Sequence, residues 1–124
     1  MSTCFCNTSK PFSECCEPYI LGLQKAPTAE TLMRSRYSAY CVCNADYLMA
    51  TTHFSTRKFH DKAETLAFAT QNQWVKLEII TSSEKTVEFK AYYLDNNLQP
   101  QTHHEKSTFR QEEGSWYYVD GEWF

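Results

Sequence analysis

The apolar residues of this 124-residue chain follow two different periods. Between about residues 29 and 69 they recur three or four positions apart, which is the spacing of helices with one buried face. From residue 74 onward they alternate with polar residues, which is the spacing of half-buried strands. This order predicts an α+β fold in which helices precede a sheet.

The first predicted helix is the longest. Thr28 is a suitable N-cap and Glu30 lies in the first turn, so the helix is expected to run from about Ala29 to Cys43. Its apolar stripe consists of Leu32, Met33, Tyr37, Tyr40 and Cys41.

Two further helices are predicted after it. Asp46 is expected to cap a short helix that carries residues 47–49. Asp61 and Glu64 have the spacing of an acidic capping box, which predicts a third helix that ends near Ala69.

Four strands are predicted to form the sheet. The first runs from about Trp74 to Thr81, and its apolar face consists of Val75, Leu77 and Ile79. The apolar face of the second consists of Val87, Phe89, Ala91 and Tyr93. The third covers about His104–Arg110 and the fourth about Trp116–Asp120. Turn residues at 95–97 and 113–115 leave short loops, which predicts an antiparallel meander.

Four cysteines lie within the first sixteen residues in the spacing C-x-C-x8-C-C. They are Cys4, Cys6, Cys15 and Cys16. A segment this short cannot build its own apolar core, whereas four thiolates can hold one tetrahedral metal ion. Zinc is the usual ion in an all-thiolate site, and iron is the alternative that the same ligands accept.

The alternative for these cysteines is two disulfide bonds, which require an oxidising compartment. The chain opens without the basic and apolar regions of an export signal, so we expect a cytoplasmic protein. Disulfides are rare there, and the adjacent pair Cys15 and Cys16 seldom bonds to itself without strain. The sequence therefore favours a metal site.

The cysteine segment also resembles a known motif. Residues 4–12, CFCNTSKPF, followed by Cys15 and Cys16, are similar to the SEC-C motif, the small metal knuckle at the tail of the SecA preprotein translocase. Asn7 and Ser9 stand where that motif usually has glycine. Asparagine tolerates a left-handed backbone conformation better than serine does, so we expect an altered loop with intact ligands.

A second resemblance covers most of the remaining chain. Residues 26–40, APTAETLMRSRYSAY, resemble the signature of the YchJ-like family of small bacterial proteins, as do residues 116–121, WYYVDG. Further matching positions are Asp46, Tyr47, Leu48, Thr51, His53, Ser55, His104, Glu105, Ser107 and Phe109.

The two resemblances imply a fold and a division of the chain. They imply a SEC-C-like metal-binding knuckle at residues 1–22. At residues 27–124 they imply a cone-shaped, nuclear-transport-factor-like (cystatin-like) domain, in which helices pack on a curved antiparallel sheet. Such folds commonly hold a pocket on the concave face of the sheet.

Composition excludes several classes of function. The net charge of −3 gives no broad basic surface, so we expect no nucleic-acid partner. No apolar run approaches the roughly 20 residues of a membrane helix, so we expect no membrane span. Eight Tyr, eight Phe and three Trp favour a folded chain over a disordered one.

Polar residues of one strand and one helix are predicted to face the pocket. Period two places Glu105 and Ser107 on the same strand face as Phe109, which should seek the core. Arg36 lies four residues before Tyr40, beside the apolar stripe of the first helix. A buried carboxylate needs a partner, so we expect an ion pair between Arg36 and Glu105.

His53 and Ser55 are expected to complete this polar cluster at the pocket mouth, whereas His103 and His104 are expected to be solvated. One interpretation makes the cluster structural, with the ion pair fixing the first helix on the sheet. The other makes His53 or Glu105 a general base in a dehydratase-like or isomerase-like enzyme. No nucleophile or cofactor loop accompanies these residues, which favours the structural interpretation.

The leading hypothesis is a docking or adaptor protein, because the similar knuckle of SecA docks proteins. It predicts a protein or ribosome-associated partner at the knuckle and allows a small ligand in the pocket. The small enzyme is the alternative.

Overall fold

The computed structural model describes residues 3–124. Within that part of the chain, the helices are α1 (Glu17–Ile20), α2 (Ala29–Cys41), α3 (Ala45–Ala50), α4 (Phe54–Arg57) and α5 (Lys62–Gln71). The strands are β1 (Gln73–Ser82), β2 (Thr86–Leu94), β3 (Pro100–Glu112) and β4 (Ser115–Trp123). A 3-10 turn at Phe12–Glu14 precedes α1. None of the described helices is long and apolar enough to cross a bilayer.

The strands form one antiparallel sheet in the order β1-β2-β3-β4, which confirms the predicted meander. Helix α2 packs on this sheet, with contacts to β1, β2 and β4, and α5 packs against α2 and α3. In the register of β3, Glu105 lies between Phe89 of β2 and Trp123 of β4. The helical layer and the inner face of the sheet therefore enclose the middle of β3.

Helix ends follow local backbone chemistry. The Thr28 hydroxyl accepts a hydrogen bond from the backbone N–H of Thr31 at 3.0 Å, as its N-cap position predicts. Helix α2 ends at Cys41, two residues earlier than expected, and Cys43 adopts a left-handed conformation with φ 58°. The cap of α3 is Asn44, whose side chain accepts from the Tyr47 N–H at 3.0 Å.

Three other expectations about local structure are wrong. Asp46 lies in the first turn of α3 and does not cap it. Asp61 occupies the N-cap position of α5, but its side chain makes no capping hydrogen bond. Val75 is 59% exposed, because a register shift between Trp74 and Lys76 changes the strand face.

The N-terminal segment shares the core of the sheet and helices. Cys4, Cys6 and Cys16 are buried in the same apolar cluster as Leu32 and Met33 of α2. Arg34 connects the cysteine segment to α2, because its Nη1 donates to the carbonyl oxygen of Cys6 at 2.6 Å. The cysteine segment is therefore packed on α2 and does not hang free of the fold.

Candidate functional site

The first half of the cysteine segment is a tight hairpin. Thr3 and Pro11 form an antiparallel bridge, and the Cys4 N–H donates to the Lys10 carbonyl oxygen at 2.8 Å. Asn7 takes the left-handed conformation at the turn, with φ 69°. Ser9 does not adopt this conformation, so the turn of the hairpin needs one left-handed residue where the motif usually has two glycines. The hairpin brings Cys4 and Cys6 to one end.

The second half supplies the other two thiols. The 3-10 turn at Phe12–Glu14 ends at Cys15, and Cys16 is the N-cap of α1. The backbone carbonyl oxygen of Cys16 accepts from the N–H groups of Tyr19 and Ile20, which fixes the start of α1. Two consecutive cysteines can therefore face one centre, because the backbone turns sharply between a 3-10 turn and a helix.

The four sulfur atoms form a cluster with the dimensions of a metal site. All four Sγ atoms lie within 4.8 Å of one another. Cys6 and Cys15 are 3.6 Å apart at sulfur, and Cys15 and Cys16 are 4.0 Å apart. A tetrahedron with metal–sulfur bonds of about 2.3 Å has edges of about 3.8 Å. The residues present fit a tetrahedral ion, and this donor set suits zinc or iron.

None of the six cysteines within residues 3–124 forms a disulfide bond, and all six are free thiols. The four cluster thiols influence one another strongly. Hydrogen bonds from Cys16 and Cys6 lower the pKa of Cys4, and the hydrogen bond with Cys4 raises the pKa of Cys16. Burial raises the pKa of Cys15. Four thiolate charges within 4.8 Å would repel one another, so a bound cation favours the ionisation of all four thiols together.

Hydroxyl groups surround the sulfur atoms. Thr8 Oγ1 lies 3.1 Å from Cys15 Sγ and 3.6 Å from Cys6 Sγ. Ser38 of α2 is fully buried, and its Oγ lies 3.6 Å from Cys4 Sγ. Such contacts orient ligands and favour thiolates. Through Ser38, the cysteine cluster is tied to the main helix.

A pocket lies between the helices and the inner face of the sheet, away from the cysteines. Its volume is about 390 Å³. Of the residues predicted to face a pocket, four line it: Arg36, Tyr40, Glu105 and Ser107. Much of the remaining wall is aromatic and consists of Tyr37, Phe59, Phe68, Trp74, Phe89, Tyr93, Tyr118 and Trp123.

Glu105 is buried in this wall and is fully hydrogen-bonded. His103 Nε2 lies 2.7 Å from Oε1, while Ser107 Oγ and the Tyr118 hydroxyl donate to Oε2 at 2.6 and 2.9 Å. Burial by itself would raise the pKa of Glu105, but the hydrogen bonds from His103, Ser107 and Tyr118 outweigh it and hold that pKa below its usual value. Glu105 is therefore a carboxylate at neutral pH. Gly121 faces it, and a Cβ there would lie 2.1 Å from Oε2.

The predicted ion pair between Arg36 and Glu105 is wrong. Arg36 Nη1 donates to the Leu48 carbonyl oxygen at 2.9 Å and to Thr51 Oγ1 at 2.7 Å, and its guanidinium lies 4.6 Å from the Tyr118 ring centroid. Tyr118 thus stands between the two charges, with its ring against Arg36 and its hydroxyl on Glu105. The sequence analysis predicted that both charged residues face the pocket, but it did not predict the tyrosine between them.

The expectation that His53 and Ser55 face the pocket is also wrong. His53 is buried at the N-cap of α4, where Nδ1 accepts from the Ser55 N–H at 3.1 Å. Nδ1 also lies 2.7 Å from Ser55 Oγ, and Nε2 lies 2.7 Å from Glu112 Oε1. Because Nδ1 accepts, Nε2 carries the proton and donates to Glu112. His53 therefore fastens α4 to the sheet.

His103 is another pocket residue that the sequence prediction missed. It was expected to be solvated, yet it lines the pocket and pairs with Glu105. The signal was available, because His103 and Glu105 are two positions apart on one strand and so share a face. His104, on the other face, pairs with Glu88 at 2.8 Å, so it is not free in solvent either.

Comparison with known proteins places the fold and the motif in context. Residues 28–121 match the family described as YchJ, middle NTF2-like domain. A UPF0225 protein of Geobacter sulfurreducens is 42% identical over 125 residues, which cover 95% of this chain and 77% of that protein. A UPF0225 protein of Photorhabdus laumondii is 39% identical, with 95% and 79% covered.

Solved structures show the same architecture. A SEC-C motif containing protein from Rhodopseudomonas palustris is similar with a TM-score of 0.91 and 36% identity over 98% of each chain. A second one, from Psychrobacter arcticus, gives a TM-score of 0.80 and 30% identity over 97% of this chain and 81% of the other. These likenesses confirm the predicted α+β, nuclear-transport-factor-like fold with a cysteine cluster typical of a SEC-C knuckle.

Proposed function

The chain belongs to the YchJ-like family of SEC-C motif proteins, and we propose that it is a docking protein of the bacterial cytoplasm, whose metal-bound knuckle binds a protein partner. The observation that carries this proposal is the cluster of four cysteine sulfurs within 4.8 Å of one another. We call residues 3–22 the knuckle.

The donor set favours a structural role for the metal. Four thiolates occupy all positions of a tetrahedral ion and leave none for a substrate, so the ion, zinc or iron, would cross-link the cysteines. The chain's own residues then hold the knuckle on α2 through Arg34 and Ser38. The result is a rigid surface in a segment that has little core of its own.

The outer surface of the knuckle, together with Leu23 directly after it, favours a protein partner. Phe5, Leu21 and Leu23 are large apolar residues that are 44%, 62% and 74% exposed. Residues 3–22 contain Lys10, Glu14 and Glu17, and a divalent ion on four thiolates keeps a negative charge, so the knuckle has no excess of positive charge. A partly apolar surface without excess positive charge suits contact with another protein, such as a ribosome-associated one, and gives no attraction for a phosphate backbone.

The geometry gives less support to an enzyme that uses His53 or Glu105. His53 lies outside the pocket and fastens α4. Glu105 already accepts three hydrogen bonds, and its pKa is below the usual value, so it is a weak proton acceptor at neutral pH.

The test is a surface variant that leaves the cysteines intact. Leu21→Ser with Leu23→Ser should keep the metal and the fold but abolish binding to a partner captured by cross-linking to the wild-type protein. The matched control is Leu98→Ser, because Leu98 is also 62% exposed but lies between β2 and β3. Partner binding that survives the double change in a folded, metal-loaded protein, or that is lost equally in the control, would contradict the proposal.

A further inference from the structure

We propose that the pocket between the helices and the sheet binds a small carboxylate with a flat apolar body, and that Arg36 and Tyr40 hold its carboxylate group. None of the pocket-lining residues belongs to the knuckle, so this proposal does not depend on the docking function. It rests on unused hydrogen-bond donors, on charge and on the aromatic wall.

Arg36 presents to the pocket the edge of its guanidinium that carries Nε and Nη2. Its hydrogen bonds to Leu48, Thr51 and Thr52 all come from Nη1, and Nε and Nη2 have no partner within the described chain. No fully buried side-chain nitrogen or oxygen among the described residues lacks a partner, so Nε and Nη2 must reach open space. Arg36 is only 6% exposed and lines the pocket, so the open space that Nε and Nη2 reach is the pocket.

The unused edge has the geometry that recognises a carboxylate. Nε and Nη2 of an arginine donate two parallel hydrogen bonds to the two oxygens of one carboxylate. Tyr40 lies one helical turn further along α2, so its side chain is on the same face as that of Arg36. Burial raises the pKa of Tyr40, and its hydroxyl makes no hydrogen bond to the described residues, so it is a free neutral donor.

The pairing of the charged groups in the pocket leaves Arg36 available to an acidic ligand. Arg36 forms no ion pair with any carboxylate of the described residues. The Glu105 carboxylate already receives three hydrogen bonds from other side chains. Asp61 and Glu64 also line the pocket, but both are exposed to solvent, which screens them. Arg36 is therefore the buried charged group of the pocket whose donors are still unused, whereas the oxygens of Glu105 are already occupied.

The rest of the pocket fits an apolar ring system. Trp74 packs against Tyr93 with ring centroids 5.1 Å apart, and against Phe68 at 5.5 Å. These rings form one wall of a space of about 390 Å³. Pockets of about 300 to 1,000 Å³ with apolar walls and a few convergent polar groups are typical of small-molecule sites.

The test uses three probes of matched shape and different charge: 2-naphthoate, 2-naphthamide and 2-naphthylmethylamine. Binding to the metal-loaded wild-type protein is followed by the fluorescence of the pocket tryptophans, Trp74 and Trp123, and by calorimetry. Naphthoate should bind about tenfold or more tightly than the amide, because a charge-assisted pair of hydrogen bonds replaces neutral ones. The amine should bind most weakly.

Variants of Arg36 and Tyr40 then test whether these two residues bind the carboxylate of naphthoate. Tyr40→Phe keeps the ring and should weaken naphthoate binding about fivefold to tenfold, while leaving the amide less affected. Arg36→Lys should weaken it about tenfold or more, because lysine cannot donate bidentately. Tyr92→Phe is the control, since the Tyr92 hydroxyl bonds to Glu78 on the surface, and it should change nothing.

Three results would each overturn the proposal. They are equal affinity for naphthoate and naphthamide, tightest binding of the amine, and no binding of any probe at millimolar concentration. If Arg36→Lys fails to fold, the wild-type probe series and Tyr40→Phe still decide the matter, because neither needs that variant. Unchanged naphthoate affinity in folded Tyr40→Phe would remove Tyr40 from the site.

Discussion

Replacing Tyr118 with phenylalanine tests the Glu105 network, because it removes one oxygen and leaves the ring in place. The Tyr118 hydroxyl donates to Glu105 Oε2 at 2.9 Å, while the ring lies against the Arg36 guanidinium. The variant therefore keeps the contact with Arg36 and takes away one of three donors to a buried carboxylate.

The expected cost follows from the charge of the acceptor. A hydrogen bond to a charged group contributes about 1.5 to 3 kcal/mol to stability. His103 and Ser107 still hold the carboxylate, so we expect the lower end, a loss of about 1.5 kcal/mol in the free energy of unfolding at neutral pH. For a chain of this size, that lowers the melting temperature by several degrees.

The loss should depend on pH in a defined direction. The pKa of Glu105 is lower in the folded protein than its usual value, so its contribution to stability is present at neutral pH and is lost as pH falls through the folded pKa. Tyr118→Phe raises the folded pKa toward the usual value and removes part of that contribution. The difference in unfolding free energy between wild type and variant should therefore be largest at neutral pH and shrink in acid.

The assay is urea unfolding of both proteins at a series of pH values, compared pairwise so that protonation of the cysteines cancels. Tyr92→Phe is the control, because it removes a surface hydroxyl that bonds to Glu78, and it should change the free energy of unfolding far less than Tyr118→Phe does at neutral pH. A Tyr118→Phe cost no larger than that of Tyr92→Phe, or one that does not change with pH, would refute the described role of Glu105.

Three further variants test the contact between the cysteine segment and α2, the placement of Arg36 and the packing of the sheet around Glu105. Arg34→Ala removes the bond from Nη1 to the Cys6 carbonyl oxygen, so it should speed metal loss to a chelator in a stopped-flow assay. Arg36→Ala should lower the free energy of unfolding by about 1 to 3 kcal/mol, because the Leu48 carbonyl oxygen and the Thr51 hydroxyl lose a buried donor. Similar unfolding free energies for these two variants would contradict the placement of both arginines. Gly121→Ala should destabilise the protein by about 1 to 3 kcal/mol in urea, because its Cβ would meet Glu105 Oε2, and a neutral effect would show that the carboxylate lies elsewhere.

The sequence predicted the elements whose signals are local. Thr28 caps α2 as expected, and Val87, Phe89 and Ala91 of β2 are all buried. The spacing of the four cysteines predicted their convergence, because a short segment brings close neighbours together by itself. The division of the chain at residues 22 and 27 stays a prediction, since Cys4 and Cys6 share one core with α2.

The missed features depend on tertiary structure. Which partner Arg36 takes depends on how α3 and β4 approach it, and no periodicity along α2 contains that information. His53 was misplaced because helix α4, which it caps, is only four residues long and leaves almost no pattern in the sequence. Val75 was misplaced because a bulge interrupts the alternation that the prediction assumed.

The central claim is that Cys4, Cys6, Cys15 and Cys16 bind one metal ion, and elemental analysis of protein purified without chelator tests it most directly. The account predicts about one zinc or iron per chain. The same analysis of Cys16→Ser should give a clearly lower ratio, whereas Cys43→Ser, outside the cluster, should keep the wild-type value. Wild-type protein with all its thiols free and no bound metal would contradict the account.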